Sequence, residues 1–135
     1  MKNLLLIFIA VFSLTACSGN NSSKRNNNPT EITKTDKIEV LYFHGKKRCI
    51  TCNAIESLSK EVMQEINNPD ITYKIIDFST DQGEKIANQY EVAWSSLLIN
   101  NKGTVIDLTK LGFSHAKNQP EVFKQKLKES INSIL

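Results

Sequence analysis

The chain has 135 residues, of which 40% are hydrophobic and 23% charged, and a formal charge of +3 at pH 7. That length suits one globular domain with an appendage and excludes two independent cores. So small a positive excess, with its lysines dispersed along the chain, also excludes a dedicated nucleic-acid binder, which gathers its cations on one face.

The N-terminus reads MKNLLLIFIAVFSLTAC, with one cation at Lys2, an apolar run from Leu4 to Leu14, and then small residues. This is the pattern of a secretory signal, and the run is too short to span a bilayer comfortably. Leu14-Thr15-Ala16-Cys17 resembles the lipobox of bacterial lipoproteins. The resemblance implies a signal peptide over 1–16 and cleavage before Cys17, which then carries lipid, palmitate included. It also implies a place in the bacterial cell envelope, with the rest of the chain facing periplasm or exterior. Two or three acyl chains hold stably, since each buried methylene contributes about 0.8 kcal/mol and one chain alone is marginal. The alternative is an ordinary secretory signal with an incidental cysteine.

Residues 17–36 continue from Cys17 with SGNNSSKRNNNPTEITKTD (18–36), rich in Asn, Ser and Lys and without a hydrophobic period. Such a segment buries too little apolar surface to offset its ordering entropy, so the expectation is a disordered tether leading to a domain over 37–135. IEVLYF, from Ile38 to Phe43, is a continuous apolar, β-branched and aromatic run that predicts a strand buried on both faces. After HGKKR, apolar residues at Cys52, Ile55, Leu58, Val62 and Ile66 recur at helical spacing, and Asn67-Asn68-Pro69-Asp70 stops the helix. Ile71 to Phe78 predicts the second strand, and Ser79-Thr80-Asp81 offers caps for a shorter helix to about Tyr90. SLLI (Ser96 to Ile99) and TVIDL (Thr104 to Leu108) flank Asn100-Asn101-Lys102-Gly103, a hairpin signal. Pro120 opens a last helix, with Val122, Phe123, Leu127, Ile131 and Ile134 as its expected buried stripe.

The order is therefore βαβαββα, an α/β arrangement with a parallel first pair of strands and an antiparallel later pair. A four-stranded mixed sheet with helices on both faces follows. If Cys17 carries lipid, any intramolecular disulfide must join Cys49 and Cys52. That loop is too small to stabilise a domain much, so the pair points to a redox centre rather than a strut.

This order of elements resembles the core of the thioredoxin superfamily, whose redox CxxC sits between first strand and first helix, where Cys49-Ile50-Thr51-Cys52 stands here. The Asn-Lys-Gly turn and Lys110-Leu111-Gly112 after the last strand agree with it. The resemblance covers about residues 37–135. It implies a thiol–disulfide oxidoreductase with Cys49 as nucleophile and Cys52 as resolving thiol. The chemistry fits the place: a thiolate attacks a disulfide, and the free N–H groups of a helix N-terminus favour negative charge on the first sulfur. Cys52, one turn inside, would then attack the mixed disulfide and close the pair. Lys46, Lys47 and Arg48 add positive charge beside Cys49, an arrangement suited to acidic partners. The alternative for that run is a solvated loop, its charges screened within about 8 to 10 Å.

The chain departs from the superfamily pattern at several positions. Arg48 replaces the motif's Trp, and Ile50-Thr51 replaces Gly-Pro. The buried Asp of thioredoxins is absent, Tyr42 and Phe43 standing on that strand. Proton transfer to Cys52 then needs water or another group, for which His44 is near in sequence; a purely structural His44 is the alternative. No proline stands in the cis-proline position. Counting from Val92 puts Ser96 there, counting back from Gly103 puts Ser95, and a trans bond is the expectation. Trp94 is expected near the active site or in the core.

These residues leave three readings. The favoured one is a membrane-anchored, monomeric oxidoreductase, without a cofactor, that exchanges its dithiol with exported protein or small-molecule thiols and with a redox partner protein. The second is a Cu or Zn module using Cys49 and Cys52 with His44, and His115 from a loop, since thiolates suit both metals. The third is a redox-inactive interaction domain.

Overall fold

The computed structural model describes residues 36–135. The expected signal peptide 1–16, the expected lipidation at Cys17 and the expected tether before Asp36 lie outside the described residues. IEVLYFH forms β1, Ile38–His44, buried at every position but the last. It is flanked on one side by β2, Ile71–Asp77, and on the other by β3, Ser96–Asn101, which is followed by β4, Thr104–Asp107. The sheet order is β2-β1-β3-β4. β1 and β2 are parallel, with Ile38 opposite Ile71 and His44 opposite Asp77, whereas β1 pairs antiparallel with β3, with Ile38 opposite Asn101 and Phe43 opposite Ser96. The mixed sheet is as expected. At the β3–β4 turn Lys102 (φ 52°) and Gly103 (φ 100°) both have positive φ, as a two-residue hairpin matching the strand twist requires.

Four helices cover the sheet: α1, Ile50–Ile66; α2, Asp81–Gln89; α3, Thr109–His115; and α4, Pro120–Asn132. Strand alternation sorts the core into two layers. Val40, Tyr42, Leu97 and Ile99 meet Ile55 and Val62 of α1 and Phe123, Leu127 and Ile131 of α4. On the other face Leu41, Phe43, Ile76 and Leu98 pack with Ala87 of α2. α1 ends at Asn67, which takes a left-handed conformation (φ 42°) and returns its N–H to Met63 O. α2 is capped by Thr80, whose hydroxyl accepts from the Gly83 N–H.

Three details differ from expectation. The segment between β4 and Pro120 is helical, so His115 sits in the last turn of α3 rather than in a loop. Seven residues centred on a glycine, with no side-chain cap at Leu108, give no periodic signal to read. Gly112 is what lets α3 approach α1: a Cβ there would lie 2.9 Å from Ile55 Cδ1. Val122 is 37% exposed, since the contact runs along Phe123, Leu127 and Ile131 at spacings of four and Val122 lies about 100° away around the helix. In α1, Leu58 and Ile66 only border the core, and Ser59 is fully buried.

The α2 face contains a buried polar network that no sequence pattern announced. Glu39, on β1, is buried and ion-paired with Lys74, and its Oε2 accepts from Tyr90 Oη (3.4 Å) and Asn100 Nδ2 (3.1 Å). Asn100 also donates to Tyr90 Oη (3.0 Å) and accepts the Gly103 N–H (2.9 Å). A carboxylate taken out of water survives only with partners of this kind. No helix among the described residues is long and apolar enough to cross a membrane.

Candidate active site

β1, an interior strand, delivers the chain to one end of the sheet, and the loop 45–48 turns it into α1 with Cys49 as the N-cap. Cys49 is extended (φ −89°, ψ 165°), and its Sγ accepts the Cys52 N–H at 3.1 Å. Sulfur thus takes the role that a Ser or Asp oxygen usually plays, at the helix end where free N–H groups and the macrodipole favour negative charge. Cys49 is exposed, whereas Cys52, one turn inside, is only 6% exposed. The cysteines are free and their sulfurs lie 2.7 Å apart, so a shift of less than about 1 Å brings them to the disulfide bond length.

Three side chains surround the pair. Tyr42 is fully buried, and its hydroxyl donates to the Cys52 carbonyl oxygen at 2.8 Å. Ser95 Oγ lies 3.9 Å from Cys52 Sγ, while the Ser96 hydroxyl turns away to donate to Trp94 O at 3.0 Å. Of the two serines expected here, Ser95 is the one brought to the pair. The described peptide bonds are all trans. Arg48 pairs with Glu56 of α1, and its guanidinium stands 5.9 Å from the centre of the Tyr42 ring. Its charge is matched within the fold, and Lys46 and Lys47 are exposed beside it in the loop.

Burial works against a thiolate at Cys52, yet its hydrogen bonds with the Cys49 side chain and backbone, with Ser95 and with Tyr42 outweigh that and set its pKa below the ordinary thiol value. Burial and the neighbouring Cys52 push Tyr42 well above the phenol range, Arg48 opposing them. The phenol therefore stays protonated at neutral pH and donates to the Cys52 carbonyl oxygen.

Ile50 (72% exposed) and Trp94 (68% exposed) are open apolar side chains next in sequence to Cys49 and Ser95, so Trp94 is not a core residue. Thr51 is half-buried in the first turn. His44 Nδ1 faces Gly45 O at 3.2 Å, and its ring centre is 6.0 Å from that of Tyr42. His115 Nδ1 faces Leu111 O within α3. Among the described residues, no three His, Cys, Asp or Glu side chains converge closely enough to hold a metal ion. Sequence reasoning noted Tyr42 only as the absence of an Asp. Period-two alternation from Val40 marks it as facing α1, and that was the available signal. Nothing in the sequence tied Arg48 to Glu56.

No family model and no curated protein matches the chain. Among solved structures it is similar to a thioredoxin of Fasciola hepatica, with 21% identity over 76% of this chain and 85% of that one and a TM-score of 0.52. It is also similar to mitochondrial thioredoxin 3 of Saccharomyces cerevisiae in its oxidized form (23% identity, 54% of this chain and 65% of that one, TM-score 0.42). Human ERp44 aligns at 14% identity over 82% of this chain but 28% of its own length, with a TM-score of 0.47. The Fasciola likeness shows the fold to be thioredoxin-like, as the order of elements implied.

Proposed function

We propose that this thioredoxin-like domain is a thiol–disulfide oxidoreductase in which Cys49 is the nucleophile and Cys52 the resolving thiol. The observation that carries the reading is the pair itself: an exposed sulfur capping a helix N-terminus, 2.7 Å from a buried sulfur one turn behind it. The exposed thiolate attacks a substrate disulfide and expels one half. The buried thiol then attacks Cys49 Sγ, closes the Cys49–Cys52 bond and releases the other half as a thiol. Run backwards, the same steps oxidise a substrate dithiol. Lys46 and Lys47 with Ile50 and Trp94 suit a polypeptide that is apolar with some acidic character, exported protein thiols being the substrate class and a second redox protein the electron partner. Through Cys17 the chain is held to a membrane of the bacterial cell envelope, facing periplasm or exterior as a monomer.

The test equilibrates purified protein with glutathione buffers of graded poise and counts free thiols. A reversible two-thiol transition that disappears in Cys49→Ser supports the reading. Thiols that never titrate, together with tight stoichiometric uptake of Zn(II) or Cu(I), would sink it.

A further inference from the structure

We propose that Ser95 is a catalytic residue of the resolving half-reaction: its hydroxyl receives the proton that the buried Cys52 thiol sheds, then donates to the thiolate left behind. The proposal rests on the exchange chemistry proposed above and adds to it the group that carries the buried sulfur through its charged interval.

Ser95 lies in the segment between α2 and β3, and its Oγ stands 3.9 Å from Cys52 Sγ, whose S–H donates to it. Cys52 is 6% exposed and Ser95 half-buried, so the contact joins a sulfur out of water's reach to a hydroxyl within it. A hydroxyl both accepts and donates, and it turns about its Cβ–Oγ bond to do either. An alanine or a proline there would offer neither. The neighbouring hydroxyls are committed elsewhere: Ser96 donates to Trp94 O at 3.0 Å, and Tyr42 donates its one hydrogen to Cys52 O at 2.8 Å.

In the reduced pair, the hydrogen bonds described for Cys52 Sγ reach Cys49 Sγ, at 2.7 Å, and Ser95 Oγ. Once Cys49 is joined to a substrate half as Cys49–S–S–R, its sulfur has no proton to give, and Ser95 is the partner that remains. The Cys52 thiol then passes its proton to Ser95 Oγ, whose own hydroxyl proton goes to water. The electron pair of Cys52 forms the bond to Cys49 Sγ, the bond from Cys49 Sγ to the substrate sulfur breaks, and RS⁻ leaves to take a proton from solvent. The Cys52 sulfur is oxidised and the substrate sulfur reduced, with no outside oxidant. A buried thiolate without donors is costly, and a bond to a charged acceptor is shorter and stronger than a neutral one, so the Ser95 contact tightens as the sulfur ionises. The other titratable or charged groups around this turn are Cys49, Tyr42, the Arg48–Glu56 pair and, on β1, His44, which faces Gly45 O. From α3, packed on α1 at Ile55, comes His115, which faces Leu111 O. Apart from Cys49, the partners described for these groups do not include Cys52 Sγ.

The test is single-turnover stopped-flow reaction of the reduced full chain, carrying Cys17→Ser, with one equivalent of 5,5′-dithiobis(2-nitrobenzoate). Attack by Cys49 releases one thionitrobenzoate, and resolution by Cys52 releases a second. In Ser95→Ala the first phase is unchanged, because the Ser95 contact is with Cys52. The second is about threefold slower below its pH midpoint, and that midpoint moves up by about half a pH unit, which is that threefold in thiolate fraction. Ser95→Thr, which keeps the hydroxyl at a position whose φ is not positive, restores both rate and midpoint. An unchanged second phase in Ser95→Ala overturns the proposal while leaving the exchange reading intact. So does a Ser95→Thr as slow as Ser95→Ala, or a first phase slowed as much as the second, since loss of packing alone produces either. Absence of a second phase in the parent protein instead overturns the exchange reading itself.

Discussion

Asn100→Ala tests whether the buried Glu39 network is stabilising as drawn. Asn100 is fully buried; its amide donates to Glu39 Oε2 (3.1 Å) and to Tyr90 Oη (3.0 Å), and its oxygen accepts the Gly103 N–H (2.9 Å). The bond to the carboxylate contributes about 1.5 to 3 kcal/mol and each neutral bond about 1 kcal/mol. The sum near 4 kcal/mol is an upper value, because water can replace Asn100 at the partly buried turn amide, and Lys74 and Tyr90 remain on Glu39. The expected loss is about 3 kcal/mol. Urea unfolding followed by circular dichroism should show a midpoint lowered by more than about 1 M with an unchanged slope. Asn100→Asp keeps the shape but turns an acceptor toward Glu39, and it should lose at least as much. A loss under about 1 kcal/mol in Asn100→Ala, or retained stability in Asn100→Asp, would refute the reasoning.

Cys49→Ser separates chemistry from folding: serine is a good N-cap, so stability should stay within about 0.5 kcal/mol while disulfide exchange is abolished, measured by urea unfolding beside a thiol-exchange assay. Gly83→Ala places a Cβ 1.9 Å from the Asp77 carbonyl oxygen, which is backbone and cannot yield. The gain of about 1 kcal/mol in helix propensity is overwhelmed, and a net loss of about 3 kcal/mol is expected by thermal melting. The pKa of Cys52 is lower in the folded chain than unfolded, so the unfolded state holds the proton over that interval and stability rises with pH there. The contribution is complete above the unfolded thiol value, about 8.5, and is lost as pH falls through the folded one. Melting the reduced protein against Cys52→Ser across this range should show a difference that grows with pH; a flat difference contradicts it.

The fold was legible where periodicity or turn chemistry is strong. The run at Ile38, the spacing of Cys52, Ile55 and Val62, and the Lys102-Gly103 turn each gave the right element. α3 escaped because a seven-residue helix held by contact with Ile55 owes its existence to tertiary packing, which no local pattern encodes. The cysteine pair was legible from its position at the strand–helix junction. Its surroundings were not, since the partners come from far along the chain: Tyr42 reaches Cys52 across ten residues, Ser95 across forty-three, and Asn100 reaches Glu39 across sixty-one.

The register of β1 also decides how the domain is hung. The chain enters the sheet at Ile38, beside Asn101 and the hairpin, and reaches the thiols only after His44 at the far end of a seven-residue strand, about 20 Å on. Entry and reactive ends are thus opposite poles. For a chain held at Cys17, the anchoring segment therefore joins the domain at the pole opposite Cys49. By the same geometry, a support or fluorophore joined ahead of Asp36 leaves the thiols unobstructed, whereas one joined near Ser95 would cover them.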